Sequence, residues 1–312
     1  MPSPIAPCIS QQVSNFVDLR HAARPLGPKK VAVVGADDEV ALTAADGALQ
    51  LGIALPVLIG DENKIRTQAE SLGLSQLIAK AEFISTPDAA TVAAHMAGDG
   101  HVDLLLKGHL RTDQLLHAVL DKHAGVRTGR LLSDLLLYED TLADAVRLVG
   151  ITDGGLNVAP NLEQKKQIVQ NAIEVMRCLG IARPKLAIMS ATEAVSDSVP
   201  SSVDAKRLAD MGAAGDFGEV DIYGPLALDC ALLAWAAEAK GIRNIVAGHA
   251  DCMVVPNIES GNLLGKAVKY LGGSACAHVV VGAKVPILIP SRVESVEDKI
   301  NSIALGVLFA AR

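Results

Sequence analysis

The chain has 312 residues, half of them hydrophobic but only 3% aromatic, and carries a formal net charge of -7. That length suits about two domains of ordinary size, with a core built from Ala, Val, Leu and Ile as in closely packed helix-on-sheet layers. The acidic balance, without a basic stripe or tail, excludes a nucleic-acid footprint, and no run reaches the roughly 18 uninterrupted apolar residues of a membrane helix.

In chain order, residues 11–23 read as a leading helix and 31–36 as the first buried strand. Asp37 and Asp38 then offer an N-cap for a helix that runs to Leu51 and stops at Gly52. A strand over 54–59 and a helix over 62–72, opened by Asp61, follow. Next come a strand near Phe83, a helix over 88–96, a strand over 102–106 and a helix over 112–120. The alternation continues with strands over 131–137 and 145–151. A long helix over 162–179 begins after Pro160 and Asn161. A strand over 185–189 and helices over 202–211 and 226–239 come next, then short strands over 245–248 and 253–255 and a helix over 261–271. A strand-rich stretch over 277–289 precedes a C-terminal helix over 296–311. Strand and helix at this regular spacing, with short Gly- and Asp-rich turns, predict right-handed βαβ units and a mainly parallel sheet.

Several familiar readings are absent. The first strand and turn, Val34-Gly35-Ala36-Asp37-Asp38, lacks the G-x-G-x-x-G fingerprint, and there is no G-x-x-x-x-G-K-[ST] or G-x-S-x-G. This argues against a dinucleotide dehydrogenase, a P-loop nucleotidase and an α/β-hydrolase. The cysteines, Cys8, Cys178, Cys230, Cys252 and Cys276, are odd in number, scattered and never C-x-x-C. They indicate neither a disulfide framework nor a zinc site. The first ten residues show no basic n-region or apolar h-region, so a cytoplasmic setting is the expectation.

Five stretches carry chemistry at strand ends, where ligands of α/β sheets bind. Pro290-Ser291-Arg292-Val293-Glu294-Ser295-Val296-Glu297-Asp298 puts a hydroxyl, a fixed cation and a carboxylate on a strand-to-helix turn, where a helix N-terminus favours anions. Ser295 with Asp298 equally fits a capping box. Lys107-Gly108-His109-Leu110-Arg111-Thr112 offers charge and a glycine that lets backbone approach a ligand, or else a glycine turn with Thr112 as N-cap. Arg127-Thr128-Gly129-Arg130 presents two guanidinium forks suited to phosphate. Thr152-Asp153-Gly154-Gly155-Leu156-Asn157 is a polar turn after a strand. Gly248-His249-Ala250-Asp251 is followed by Pro256-Asn257 and Gly261-Asn262. His249 has no orienting partner assignable from spacing and reads as structural. Asp153, Asp229 and Asp251 are too scattered for a metal signature.

In this order and spacing, together with Gly224-Pro225-Leu226 and Asp229, these stretches resemble the phosphate acetyltransferase and phosphate butyryltransferase family over nearly the whole chain. The resemblance implies two three-layer α/β domains with mainly parallel sheets, of the isocitrate/isopropylmalate dehydrogenase type. Residues 1–145 with 280–312 would form the first and residues 146–279 an inserted second, with the active site in the cleft between them and the chain a homodimer. It implies reversible transfer of an acyl group from coenzyme A to inorganic phosphate, with coenzyme A as substrate and no metal or redox cofactor. Ser291, Arg292 and Asp298 match the family's serine, phosphate-binding arginine and base. Lys107, Thr112, Arg130, Thr152 and Asp153 are the expected substrate-binding residues.

In that chemistry the thiol of coenzyme A must become a thiolate to attack the acyl phosphate carbonyl. Asp298 would take the proton, Ser291 would hydrogen-bond the reacting groups, and Arg292 would hold the phosphoryl oxygens. Tyr223 before Gly224-Pro225 and Asn257 after Pro256 depart from the family pattern, where many members carry Asp. Lys107-Gly108, Gly155 and Ile300-Asn301-Ser302-Ile303-Ala304 look closer to the butyryl branch, and Asp298 to the acetyl branch. The expectation is acetyl-CoA or another short acyl-CoA. An oxidative decarboxylase of the same fold class would need metal-binding carboxylates and a nucleotide loop, and the sequence has neither. A non-catalytic coenzyme A-binding relative would have a broken Ser/Arg/Asp set, and here all three positions are filled.

Overall fold

The computed structural model describes Ile9 and residues 11–142, 145–291 and 293–312. The elements are α1 (Phe16–Ala23), β1 (Lys29–Val34), α2 (Glu39–Gln50), β2 (Ala54–Gly60), α3 (Glu62–Ser71), α4 (Ser75–Lys80), β3 (Glu82–Ser85), α5 (Ala89–Gly98), β4 (Leu104–Lys107) and α6 (Thr112–Leu120). After them come β5 (Ser133–Asp140), β6 (Arg147–Thr152), α7 (Leu162–Cys178), β7 (Lys185–Met189), α8 (Pro200–Ala213), β8 (Asp221–Leu226), α9 (Leu228–Leu232), α10 (Ala234–Ala239), β9 (Cys252–Val254) and α11 (Ile258–Lys266). The last three are β10 (Cys276–Val281), β11 (Ile287–Leu288) and α12 (Val296–Ala310).

The chain divides into two compact units, Met1–Phe16 with Leu131–Cys276, and Val17–Arg130 with Ala277–Arg312. The expected division after residue 145 thus falls at Leu131. The reason is β5: it pairs antiparallel with β6, from Leu135 opposite Thr152 to Asp140 opposite Arg147, and so belongs with the later strands. The N-terminal segment also joins that unit, through Val13 N–H to Leu179 O at 2.9 Å and Phe16 N–H to Glu139 Oε1 at 2.8 Å.

In the unit that holds both ends of the sequence from Val17, the strand order is β3-β2-β1-β4-β11-β10. All neighbours are parallel except β10 and β11. Val31 to Val34 are at most 1% exposed, as expected of a parallel strand covered on both faces. The chain runs outward from β1 through β2 and β3, then returns to place β4 on the other side of β1. That reversal makes a switch point at the carboxyl ends of β1 and β4. α12 closes the unit. Its Ile303, Leu305, Val307, Leu308 and Phe309 are buried, each contributing about 1.5–3 kcal/mol of hydrophobic stabilisation. It lies so close to its neighbours that a Cβ on Gly306 would stand 3.1 Å from Leu104 Cδ1, and one on Gly47 of α2 would stand 2.6 Å from Ile300 Cδ1.

The other unit has the order β5-β6-β9-β7-β8, parallel except for β5 with β6. The helix expected over 226–239 forms as two short helices, α9 and α10, broken at Leu233, and the edge strand β8 before it was not expected. Gly224-Pro225 hides the strand in the sequence, and Pro is tolerated because an edge strand has one unpaired side. No strand forms over 245–248. Among the described residues no helix is long and apolar enough to cross a membrane.

Six helices, α2, α3, α5, α7, α11 and α12, begin on a polar side chain that caps the first turn. Asp38 accepts from Ala41 N–H at 2.7 Å, Asp61 from Lys64 N–H at 3.2 Å, and Asp88 from Thr91 N–H at 3.2 Å. Asn161 accepts from Gln164 N–H at 3.0 Å. Each cap satisfies one otherwise unpaired helix N–H. The consequence is positional: polar groups and helix N-termini collect at the carboxyl edge of each sheet.

Candidate active site

Three backbone turns meet at the switch point. β4 runs parallel to β1 with Val34 opposite Lys107, and parallel to β11 with Leu288 opposite Leu106. Lys107 therefore ends its strand between the turn after β1 and the turn that carries Ser291. Its side chain is 4% exposed, and Nζ lies 3.4 Å from the carbonyl oxygens of both Gly108 and Leu110. The neighbouring turns pack backbone to backbone: a Cβ on Gly108 would lie 2.2 Å from Gly35 O. Gly108 thus admits the β1 turn itself, a use that its sequence context did not suggest. Arg111, not Thr112, is the N-cap of α6; its N–H donates to Gln114 Oε1 at 3.1 Å, and Thr112 is the first helical residue, half-buried.

Ser291 is exposed, and its carbonyl accepts Glu294 N–H at 3.1 Å. Arg292 lies outside the described residues. Ser295 caps α12 and Asp298 occupies the third helical position. Asp298 Oδ2 accepts from Ser295 Oγ at 2.6 Å and from Ser295 N–H at 3.2 Å, while Ser295 Oγ accepts Asp298 N–H at 3.2 Å. This is the capping box that the spacing allowed, built in full, and it holds Asp298 at 1% exposure. The first two turns of α12 also bury Lys299, Asn301 and Ser302. Lys299 Nζ stands 3.9 Å from Asp38 Oδ1, and Arg20 pairs with Glu297 and donates to Asn301 Oδ1 at 3.2 Å. So many buried polar groups on one helix end cost desolvation, which their mutual contacts must offset.

Arg130, exposed, ends this unit; its N–H donates to Thr128 Oγ1 at 3.3 Å, and Thr128 Oγ1 donates in turn to Gly282 O. A cleft of about 760 Å³ opens over β1, β2 and β3, lined in part by Asp37, Asp61, Lys64, Asp88 and His109. None of the predicted site residues among the described ones lines it.

Thr152 and Asp153 belong to the other unit. Thr152 Oγ1 donates to Asp134 O at 2.8 Å. Asp153 is 2% exposed and accepts from Gly155 N–H at 2.8 Å, Leu156 N–H at 2.9 Å and Asn157 Nδ2 at 2.6 Å. Burial, and then the Asp134 charge, push its carboxyl above the usual value, against the pull of those hydrogen bonds. A Cβ on Gly155 would stand 2.6 Å from Asp134 Oδ2, and one on Gly154 would stand 2.7 Å from Gly261 C. Asn262 Nδ2 donates to Gly154 O at 3.3 Å. Two sequence stretches a hundred residues apart are thereby one packed turn. Asn257 caps α11 by accepting from Ser260 N–H at 3.0 Å and Oγ at 2.6 Å.

Asp251 accepts Lys185 N–H at 2.8 Å and holds two strands together. Among the described residues one group has metal-ligand spacing: Glu193, Asp229 and Cys230. Lys240 Nζ already stands in it, 2.8 Å from Glu193 Oε1 and 2.9 Å from Asp229 Oδ2. That hydrogen-bonded ammonium holds both carboxyls below their usual values, and burial pushes the Cys230 thiol up to about 11. Sequence reasoning missed Asp134, Glu294 and Lys299 as buried charges. The signal for Asp134 was a carboxylate inside an otherwise apolar strand.

The family model described as phosphate acetyl/butaryl transferase matches residues 75–307. A phosphate acetyltransferase of Rhizobium meliloti is 38% identical over 309 residues, covering 96% of this chain and 95% of its own. A phosphate butyryltransferase of Clostridium acetobutylicum is 38% identical over 301 residues, covering 96% and 99%. The crystal structure of a branched-chain phosphotransacylase from Enterococcus faecalis V583 superposes with a TM-score of 0.78 at 29% identity, covering 90% of this chain and 99% of that one.

Proposed function

This chain belongs to the phosphate acetyl/butyryl transferase family, and from that premise we propose that it is a phosphate acetyltransferase. It moves an acetyl group between coenzyme A and inorganic phosphate, in either direction, with coenzyme A as a substrate. The observation that carries the reading is the 37–38% identity, over about 95% of the chain, to several phosphate acetyltransferases. Phosphate butyryltransferases match equally well in identity, and they define the alternative acyl group. Asp298 favours acetyl, by the resemblance stated above. We propose the two units as the dehydrogenase-like α/β pair that the resemblance implies, and a cytoplasmic homodimer.

In the proposed reaction Asp298 takes the thiol proton of coenzyme A. A carboxylate in the first turn of a helix is favoured in its ionised form. It acts as a base through its position in a desolvated site. Ser291, at the mouth of the turn, donates to the carbonyl oxygen as charge develops there. Arg292 holds the phosphoryl oxygens, and Lys107, Thr112, Arg130, Thr152 and Asp153 bind substrate. No step requires a metal to balance: the thiolate attacks the acyl carbonyl, phosphate leaves, and the thiol proton passes to Asp298.

The test is phosphate-dependent release of coenzyme A from acetyl-, propionyl- and butyryl-CoA, by wild type, Asp298→Asn and Ser291→Ala, with thermal melting of each. Acetyl-CoA is expected to be the best substrate. Asp298→Asn keeps an acceptor oxygen for the cap, so it melts near wild type while its rate falls by about a hundredfold, the scale of a lost general base. Unchanged rate with a lower melting temperature would reduce Asp298 to a cap. Absence of turnover with any short acyl-CoA would overturn the enzymatic reading.

A further inference from the structure

Glu294 is a buried carboxylate, 7% exposed, in the turn that presents Ser291. Its Oε1 lies 3.3 Å from His278 Nε2, and its Oε2, fully enclosed, has no hydrogen-bond partner among the described residues. A carboxylate so placed costs desolvation with incomplete return. Loop residues next to an exposed serine have no packing reason to bury a charge, so the charge has a use. His278 stands on β10, and its backbone N–H donates to Ser302 Oγ at 2.9 Å. Ser302 Oγ donates in turn to the backbone carbonyl of Asp298 at 2.9 Å. One residue of β10 therefore reaches both parts of the turn: its ring meets Glu294, whose N–H is bonded to Ser291 O, and its backbone leads through Ser302 to Asp298.

We propose that His278 and Glu294 are positioning residues for the acyl-transfer site, a clasp that fixes Ser291 relative to Asp298. The proposal rests on the reading of those two residues as catalytic. The clasp works through the contact of the Glu294 carboxylate with the His278 ring, 3.3 Å apart. It ties the turn to β10, the strand that pairs antiparallel with β11, so that the serine and the carboxylate share one rigid support. Catalytic geometry tolerates displacements well below 1 Å, and an exposed turn held only by its helix cap would not meet that.

The experiment uses the full chain and four variants, His278→Ala, Glu294→Ala, Glu294→Gln and the double alanine variant. Two quantities are read: steady-state kinetics with acetyl-CoA and phosphate, and amide hydrogen exchange of the segment 289–299. The alanine variants are expected to lower kcat by about tenfold or more with KM for acetyl-CoA within about twofold, and to exchange faster. The double variant should be no worse than either single one, since both break the same contact. Glu294→Gln, which keeps an oxygen facing the ring, should restore both readouts. Additive losses, or a fall in kcat without faster exchange, would overturn the clasp, as would unchanged exchange in every variant. If the wild-type chain fails to turn over, the acyl-transfer reading fails alone; exchange in the alanine and glutamine variants still decides whether the clasp holds the turn.

Discussion

Asp153 and Asp134 show how much one buried pair can impose. The carboxyl of Asp153 sits above its ordinary value of 3.8, through burial first and the Asp134 charge second. A raised value means that the folded chain holds this proton more tightly than the unfolded chain does. The stability that the group contributes is therefore complete below about pH 3.8 and is lost as pH rises through the folded value. Asp134→Asn removes the repulsion. The Asp153 titration, followed by carboxyl NMR, should move down, and the variant should gain stability over wild type as pH goes from 4 to 7. An unmoved midpoint would mean that burial alone sets it. A second residue-scale expectation concerns the helix cap. Ser295→Ala deletes the side-chain acceptor for Asp298 N–H and should cost about 1 kcal/mol, read as a lower denaturant midpoint with an unchanged slope. At this scale the sequence was informative about residue type and poor about company. Asp298 was legible both as a cap and as a base, and the structure builds the cap; Asp134 and Glu294 went unnoticed because burial, not identity, makes them unusual.

The elements that were legible had strong local punctuation. α3, α6 and α7 begin on their expected first residues and α2 directly after its expected cap; for α2, α3 and α7 the reason is that Asp38, Asp61 and Asn161 are caps with a mechanism. β8 was missed because Gly224 and Pro225 are poor strand residues that only an edge tolerates. β5 and β6 were found, but not their antiparallel pairing, which depends on a return that no local pattern encodes. The close approach of α2 to α12 is likewise invisible in sequence and makes a clear prediction. Gly47→Ala meets only Ile300 Cδ1, the far end of a half-buried side chain that can turn aside, so most of the roughly 0.5–1 kcal/mol of helix propensity that it gains should be kept and the melting temperature should not fall. A lower melting temperature, restored by Ile300→Val in the same chain, would show that Ile300 cannot move.

Across the molecule, the expectation of two α/β units followed from the alternation of strands and helices and from the resemblance. The boundary at Leu131 did not, because it rests on a strand pairing. The unit that holds Lys107, Ser291 and Asp298 takes its central strands from the first third of the chain and its closing helix from the last fifteen or so residues. A chain ending before Val296 would leave one face of β4 and β11 uncovered. Limited proteolysis of that chain should degrade the segment 17–130 while 131–276 persists; equal resistance of both would contradict the assignment. This interleaving also sets an order in time. On a ribosome adding roughly 5–20 residues per second, β1 to β4 emerge and then wait for the whole of Leu131–Cys276 to be made before β10, β11 and α12 arrive, an interval of roughly seven to thirty seconds. The unit whose strands are made first is the one completed last, and during that interval its Val- and Leu-rich strands are a natural client surface for chaperones.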